Sequence, residues 1–196
     1  MDHRIWSIVV AAGSGQRYGA AKQFEPLAGA RVVDHSLAVA ARHSDGVVVV
    51  VPPGEPVPDA LRADVVVEGG ATRSESVRRG LAAVPGDTTI VLVHDAARPV
   101  ASDALFRRVV DAVLGGAAVA VPAIEVADTI RHRDGGVVDR AELLAVQTPQ
   151  GFDAAALRAA HANGGEATDD ASLVEARGGT VVTVAGERTN IKITEP

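Results

Sequence analysis

Short runs of consecutive β-branched and aliphatic residues recur along the chain, separated by helix-like stretches. The runs are Ile5–Val10, Val47–Val51, Val65–Val67, Ile90–Val93, Ala118–Val121 and Val181–Val184. Most are apolar at every position, as strands are when both faces of a parallel sheet are covered. Between them, Asp34–His43 sets Leu37, Ala40 and Ala41 on one helical face, and Thr72–Val84 does the same with Val77, Leu81 and Val84. Thr72 with Glu75 three residues on has the pattern of a capping box. Ser102, Asp153 and Thr168 are the expected N-caps of three further helices. This alternation predicts an α/β fold, a Rossmann-like three-layer α/β/α arrangement on a mostly parallel sheet. Nothing reads as a linker or a repeat, so residues 1–196 are expected to form a single domain. Its functional groups should gather at the carboxyl ends of the strands.

Composition removes several classes of function. The 196 residues carry 19 Lys+Arg against 25 Asp+Glu, a net charge of −6, unlike a phosphate-backbone reader. Nucleic acid is therefore not an expected partner. Cysteine is absent, which excludes disulfides, thiolate zinc sites, iron–sulfur ligation and a cysteine nucleophile. The apolar runs are too short to span a bilayer, so no membrane association is expected. Met1-Asp2-His3-Arg4 leads straight into a strand with no signal-peptide pattern, and a cytoplasmic location is the expectation. No G-x-S-x-G elbow is present, which argues against a serine hydrolase.

The first strand runs into Ala11-Ala12-Gly13-Ser14-Gly15-Gln16-Arg17-Tyr18-Gly19. Small residues let backbone N–H groups approach an anion. The loop lacks the Lys-Ser/Thr of a Walker A motif, and its third glycine falls one place late for a dinucleotide fingerprint. Pro52 and Pro53 stand where that fingerprint needs a ribose-binding acid. Instead the loop offers Arg17 and, five residues on, Lys22. Two cations beside a cradle of amides suit a triphosphate, although a glycine turn with two solvated cations would have the same sequence.

Other polar clusters follow strands. His94-Asp95-Ala96-Ala97-Arg98-Pro99 ends one strand, where Asp95 and Arg98 either pair with each other or recognise hydroxyls and phosphates. Gly69–Ser76 opens a helix, and once Thr72 and Glu75 are assigned to capping, Arg73 and Ser76 remain for a ligand. Val146-Gln147-Thr148-Pro149-Gln150-Gly151-Phe152 reads as a turn, and Thr168-Asp169-Asp170 as a helix start rather than a metal site. Asn190–Thr194 alternates as a short strand, with Lys192 opposite Ile191 and Ile193. His3, His35, His43, His132 and His161 have no ligand spacing and read as surface or cap residues. A hairpin is expected over Val126–Glu142, around the turn Asp134-Gly135-Gly136.

The words AAGSGQR, KQF, GGATRSESV, VHDAARP, ADTI, QTPQGF, TDDAS and NIKIT, from Ala11 to Thr194, together resemble the 2-C-methyl-D-erythritol 4-phosphate cytidylyltransferases. The chain is also similar to the ribitol-5-phosphate cytidylyltransferases, but Ala97 and Asp169-Asp170-Ala171-Ser172 favour the erythritol family. Two departures stand out. The link from Arg17 to Lys22 is short, with Ala21 where the family usually has Pro before the Lys, and the family usually continues past Pro196 into a helix beginning Asp-Leu, whose lack would lower stability. A fragment that binds nucleotide without turnover is the alternative outside enzymes.

The resemblance implies transfer of CMP from CTP to methylerythritol phosphate, with Arg17, Lys22 and Lys192 as catalytic cations. It implies nucleotide contacts from Ala11, Ala12, Gly13, Ser14, Gly15, Gly70, Arg73, Ser76, Asp95 and Ala96. The acceptor would meet Asp95, Arg98, Asp128, Thr129, Arg140, Thr148 and Lys192. Mg²⁺ is expected to be held mainly by the CTP phosphates, with no protein metal ligand. The hairpin at about 126–142 is expected to project as an arm and interlock a homodimer, so that Thr129 and Arg140 reach the neighbour's site.

Overall fold

A computed structural model describes residues 3–13, 22–54 and 61–194. In chain order the elements are β1 (Ile5–Val10), β2 (Pro26–Leu27), β3 (Ala30–Arg31), α1 (Val32–Arg42), β4 (Gly46–Val51), β5 (Val65–Glu68), α2 (Arg73–Ala83) and β6 (Ile90–Asp95). They continue with α3 (Asp103–Leu114), β7 (Val119–Glu125), β8 (Ile130–Arg131), β9 (Val137–Val138), β10 (Leu144–Val146), β11 (Gln150–Asp153), α4 (Ala154–His161), α5 (Asp170–Glu175) and β12 (Val181–Ala185). The predicted fold class holds. The central sheet has the order β10-β7-β11-β6-β1-β4-β5, with β12 joined to β7. β1, β4, β5 and β6 are mutually parallel, as are β7 and β12, whereas β10 and β11 run against their neighbours.

Period-two alternation sorts each strand between two cores. Val9, Val49 and Leu92 face α1 and α3, packing on Leu37, Leu105, Phe106 and Val109. Ile8, Val48 and Val91 face the other layer, packing on Val77 and Leu81 of α2, Leu157 of α4 and Val174 of α5. With both faces covered, β4 and β6 are buried at every position, which is why their sequences show no alternation. Ala41, expected on the apolar face of α1, is exposed.

Capping follows the sequence closely. The Thr72, Ser102 and Asp153 side chains accept from the backbone N–H of the residue three positions on. The last helix is capped by Asp169, one residue beyond the expected Thr168. The Thr72 box closes differently from expectation, because Glu75 bonds the N–H of Ala71 and the Arg79 guanidinium.

Two expectations about strands also fail. The expected turn at Val146–Phe152 starts on the last residue of β10 and contains a strand, β11, inserted antiparallel between β6 and β7. Phe152 is fully buried there, worth about 1.5–3 kcal/mol of transfer free energy. Conversely, residues 191–194 form no strand. Ile191 is 60% exposed, and the backbone is held by Ile193 N–H to the Ala97 carbonyl. Among the described residues no helix is long and apolar enough to cross a membrane.

Candidate active site

β1 and β6 lie side by side with Val10 opposite Asp95, so their carboxyl ends share one rim. Asp95 is the acid of that rim, and three cations surround it. Lys192 Nζ lies 2.7 Å from its Oδ2, and an Arg73 guanidinium nitrogen 3.6 Å from its Oδ1. Burial alone would raise the Asp95 pKa, but Arg73 and Lys192 overcome that and lower it to about 2. The carboxylate is therefore charged at neutral pH. Arg98, the third cation, does not take Asp95 as a hydrogen-bond partner. Its Nη1 donates to the Asn190 carbonyl at 2.7 Å, so the self-contained Asp95–Arg98 pair is not what forms.

Behind this rim sits a second, fully buried acid. Asp170 accepts from Arg73 Nη1 at 2.6 Å and from His161 Nε2 at 3.0 Å. Its burial opposes ionisation, yet His161 and Arg73 hold its pKa below the ordinary carboxylate value. His161, expected at the surface or in a cap, is 5% exposed. The error has a simple origin. His161 ends α4 and its partner opens α5, nine residues on, a distance that no helix spacing marks.

Thr148, expected to touch the acceptor, has an internal place. Its hydroxyl accepts from the Asp95 N–H at 3.0 Å and lies 3.1 Å from His94 Nδ1. The Arg98 carbonyl can only accept, so His94 Nε2 carries a proton and donates to it at 3.3 Å. Burial lowers the His94 pKa to about 4, so the ring is neutral at pH 7 and its Nδ1 accepts from the Thr148 hydroxyl. Ser76 is likewise committed, donating to the Thr72 carbonyl and accepting from the Gly70 N–H.

The glycine loop is described only through Gly13. Ser14, Gly15 and Arg17 lie outside the described residues. The Ala11 N–H is bound to the Val50 carbonyl at 2.7 Å, which removes it as a donor to a ligand. Gly13 offers its carbonyl to Gln23 Nε2 at 3.2 Å, tying the loop to the 3₁₀ turn Lys22–Phe24. A Cβ on Gly69 would stand 2.4 Å from the Ala12 Cβ, so the two loops meet backbone to side chain. Ala12, Gly13, Gly70, Asp95 and Ala96 thus stand at the ends of β1, β5 and β6 or on the turns that follow, and Arg73 opens α2 after the turn from β5.

The arm residues stand apart in the chain, on β7–β10 and its hairpin. Asp128, Thr129 and Arg140 are exposed. Thr129 and Arg140 line an open cavity of about 470 Å³ with Val137, Val138 and Asp139. The Arg140 guanidinium donates to the Ala127 carbonyl of its own arm. Among the described residues no group of three or more His, Asp or Glu is placed to hold a metal ion. Both Asp95 oxygens face cations, so this donor set does not suit a protein-held metal.

The fold is of the Rossmann-like α/β class, and this rim of charges lies where its parallel strands end. The chain belongs to the family of IspD, 2-C-methyl-D-erythritol 4-phosphate cytidylyltransferase, whose model matches residues 5–196. It is 46% identical to the enzyme of that name from Nocardia farcinica, covering 100% of this chain and 90% of that one. It is 43% identical to the bifunctional enzyme IspD/IspF of Nitratidesulfovibrio vulgaris, over 98% of this chain and 56% of that protein. The crystal structure of the cytidylyltransferase from Thermus thermophilus superposes with a TM-score of 0.84 at 41% identity, covering 100% of this chain and 94% of that one. The chain spans little more than half the length of the bifunctional relatives it matches.

Proposed function

We propose that the chain transfers CMP from CTP to the 4-phosphate of 2-C-methyl-D-erythritol 4-phosphate. An acceptor phosphate oxygen bonds to the α-phosphorus while the α–β P–O bond breaks and pyrophosphate leaves. The observation that carries this reading is the cationic group around Asp95, in a chain that belongs to the cytidylyltransferase family. A phosphate monoester is already a nucleophile, so the reaction needs no general base at the rim. It needs two polyanions held together and the added charge on the α-phosphate offset. Lys192 is suited to that, because its ammonium is half-exposed beyond Asp95 and meets an incoming phosphate without crossing the core. Lys22 and Arg17, which follow the end of β1, are assigned to the triphosphate.

Mg²⁺ enters in this reading as part of the substrate, the counter-ion of the CTP phosphates. It supplies charge to the leaving pyrophosphate. The two arms are assigned to a homodimer in which Thr129 and Arg140 of one subunit serve the acceptor of the other. A cytoplasmic location belongs to the same reading, since that is where nucleoside triphosphates are held.

The test is pyrophosphate release from CTP on adding methylerythritol phosphate, with ribitol 5-phosphate as a second acceptor. Release should require methylerythritol phosphate, prefer CTP over ATP and GTP, and stop in excess chelator. Release with ribitol 5-phosphate alone, or with neither acceptor, would overturn the assignment.

A further inference from the structure

One buried polar cluster next to the site is not used by the chemistry above: the side-chain amides of Gln147 and Asn190, 5% and 0% exposed. Gln147 spends its whole amide on the segment after β12. Its Nε2 donates to the carbonyls of Glu187 at 2.8 Å and Asn190 at 3.3 Å. Its Oε1 accepts from the Glu187 N–H at 3.0 Å and from Asn190 Nδ2 at 3.4 Å. A primary amide has two donors and two acceptor sites, so this one is saturated. Residues 187–194 have no strand of their own, and the amide does for them what a neighbouring strand does elsewhere.

The same cluster reaches the acid that Lys192 pairs with. Asn190 Nδ2 also donates to the Thr148 carbonyl at 2.9 Å, and the Thr148 hydroxyl accepts from the Asp95 N–H. Arg98 fixes the Asn190 carbonyl from the other side. The segment is packed tightly at its start, so that any side chain there must displace its neighbours. A Cβ on Gly186 would stand 2.8 Å from Gln147 Oε1 and 2.9 Å from the Ala123 carbonyl.

We propose that Gln147 and Asn190 are positioning residues that clamp the 186–192 segment and so set Lys192 Nζ beside Asp95. The proposal rests on the reading of Lys192 as a catalytic cation, and its test separates the two. Gln147→Glu keeps the shape of the side chain but removes both donors and turns a carboxylate toward two carbonyls. Misplacement of a reacting group by about 1 Å costs up to about 10²-fold, so kcat should fall at least about 10-fold with KM for CTP nearly unchanged. In a Lys192→Ala background the same substitution should cost less than about 2-fold, because a clamp acts only through the group it holds.

A second readout needs no activity. Lys22 and Lys192 are the only lysines in the sequence, so acylation by an amine reagent, read by mass spectrometry, compares one with the other. Gln147→Glu should raise Lys192 labelling relative to Lys22 by about 3-fold, the size expected for release of a partly exposed ion pair. Should that variant not fold, Gly186→Ala displaces the clamp without removing a polar group, and the same rise is expected. An unchanged labelling ratio in the folded variant overturns the clamp, as does a full loss of kcat repeated in the Lys192→Ala background. Wild-type turnover by Lys192→Ala alone overturns the catalytic reading instead, while the labelling ratio still decides the clamp.

Discussion

Lys192 and Asp95 stand 97 residues apart in the chain and 2.7 Å apart in the fold. The pair joins the segment after β12 to the end of β6, and it orients an ammonium whose side chain remains 42% exposed. Such a pair contributes little to stability, about 1 kcal/mol or less. Lys192→Ala should therefore lower kcat at least about 10²-fold while leaving the urea midpoint nearly unchanged. Steady-state pyrophosphate release beside a denaturation curve checks both halves.

Asp170 should behave in the opposite way. It is fully buried between Arg73 and His161, so Asp170→Ala leaves two buried donors facing an empty site. Breaking a buried pair on one side costs about 3–5 kcal/mol. Asp170→Asn retains an acceptor and should cost less. Equal urea midpoints for Asp170→Ala and the parent would contradict the buried network.

Stability should also fall in mild acid, and His94 is the reason. In the unfolded chain it takes up a proton near its ordinary pKa of 6.5, in the folded chain only near 4. Between those values the unfolded state binds more protons, so stability rises with pH across that window. The span corresponds to about 3 kcal/mol, lost as pH drops from 6.5 to 4. Asp95 adds a further loss below its ordinary 3.8, as its folded pKa lies at about 2. Urea titrations at several pH values should show this slope, and His94→Asn should flatten it between pH 4 and 6.5.

The shared-site assignment of the arm has its own check. Arg140→Ala and Lys192→Ala should each be nearly inactive alone. Mixed dimers place both defects in one site and leave the other intact. With random subunit exchange about a quarter of the wild-type sites should work. No recovery after confirmed exchange, or a monomer by light scattering, would remove the assignment.

The strands that the sequence marks clearly are those covered on both faces. Ile5–Val10 was legible to the residue, and Val47–Val51 and Ile90–Val93 nearly so, because burial on both sides demands apolar residues throughout. β11 was not legible. Gln150-Gly151-Phe152-Asp153 has a single large apolar residue and turn-like neighbours, and its strand geometry comes from β6 and β7. The opposite error at Asn190–Thr194 arose from an alternating pattern with no ladder to join. Among candidate site residues, Asp95, Arg73 and Lys192 were marked by their words in the sequence. His161 and the roles of Thr148 and Gln147 were hidden, because each is defined by a partner brought close only by the tertiary fold.

The reversed strand also gives the sheet a waist. Asp95 belongs to the half made of β5, β4, β1 and β6, whereas the segment of Lys192 hangs from the half made of β12, β7 and β10. The backbone ladder between the halves passes through β11, four residues long, paired at four positions with β6 and at two with β7. A sliding of the two halves of the sheet against each other is thus a shear across β11. The amide protons of Gly151 and Phe152, which lie in this strand, become natural reporters of whether the two halves are drawn together.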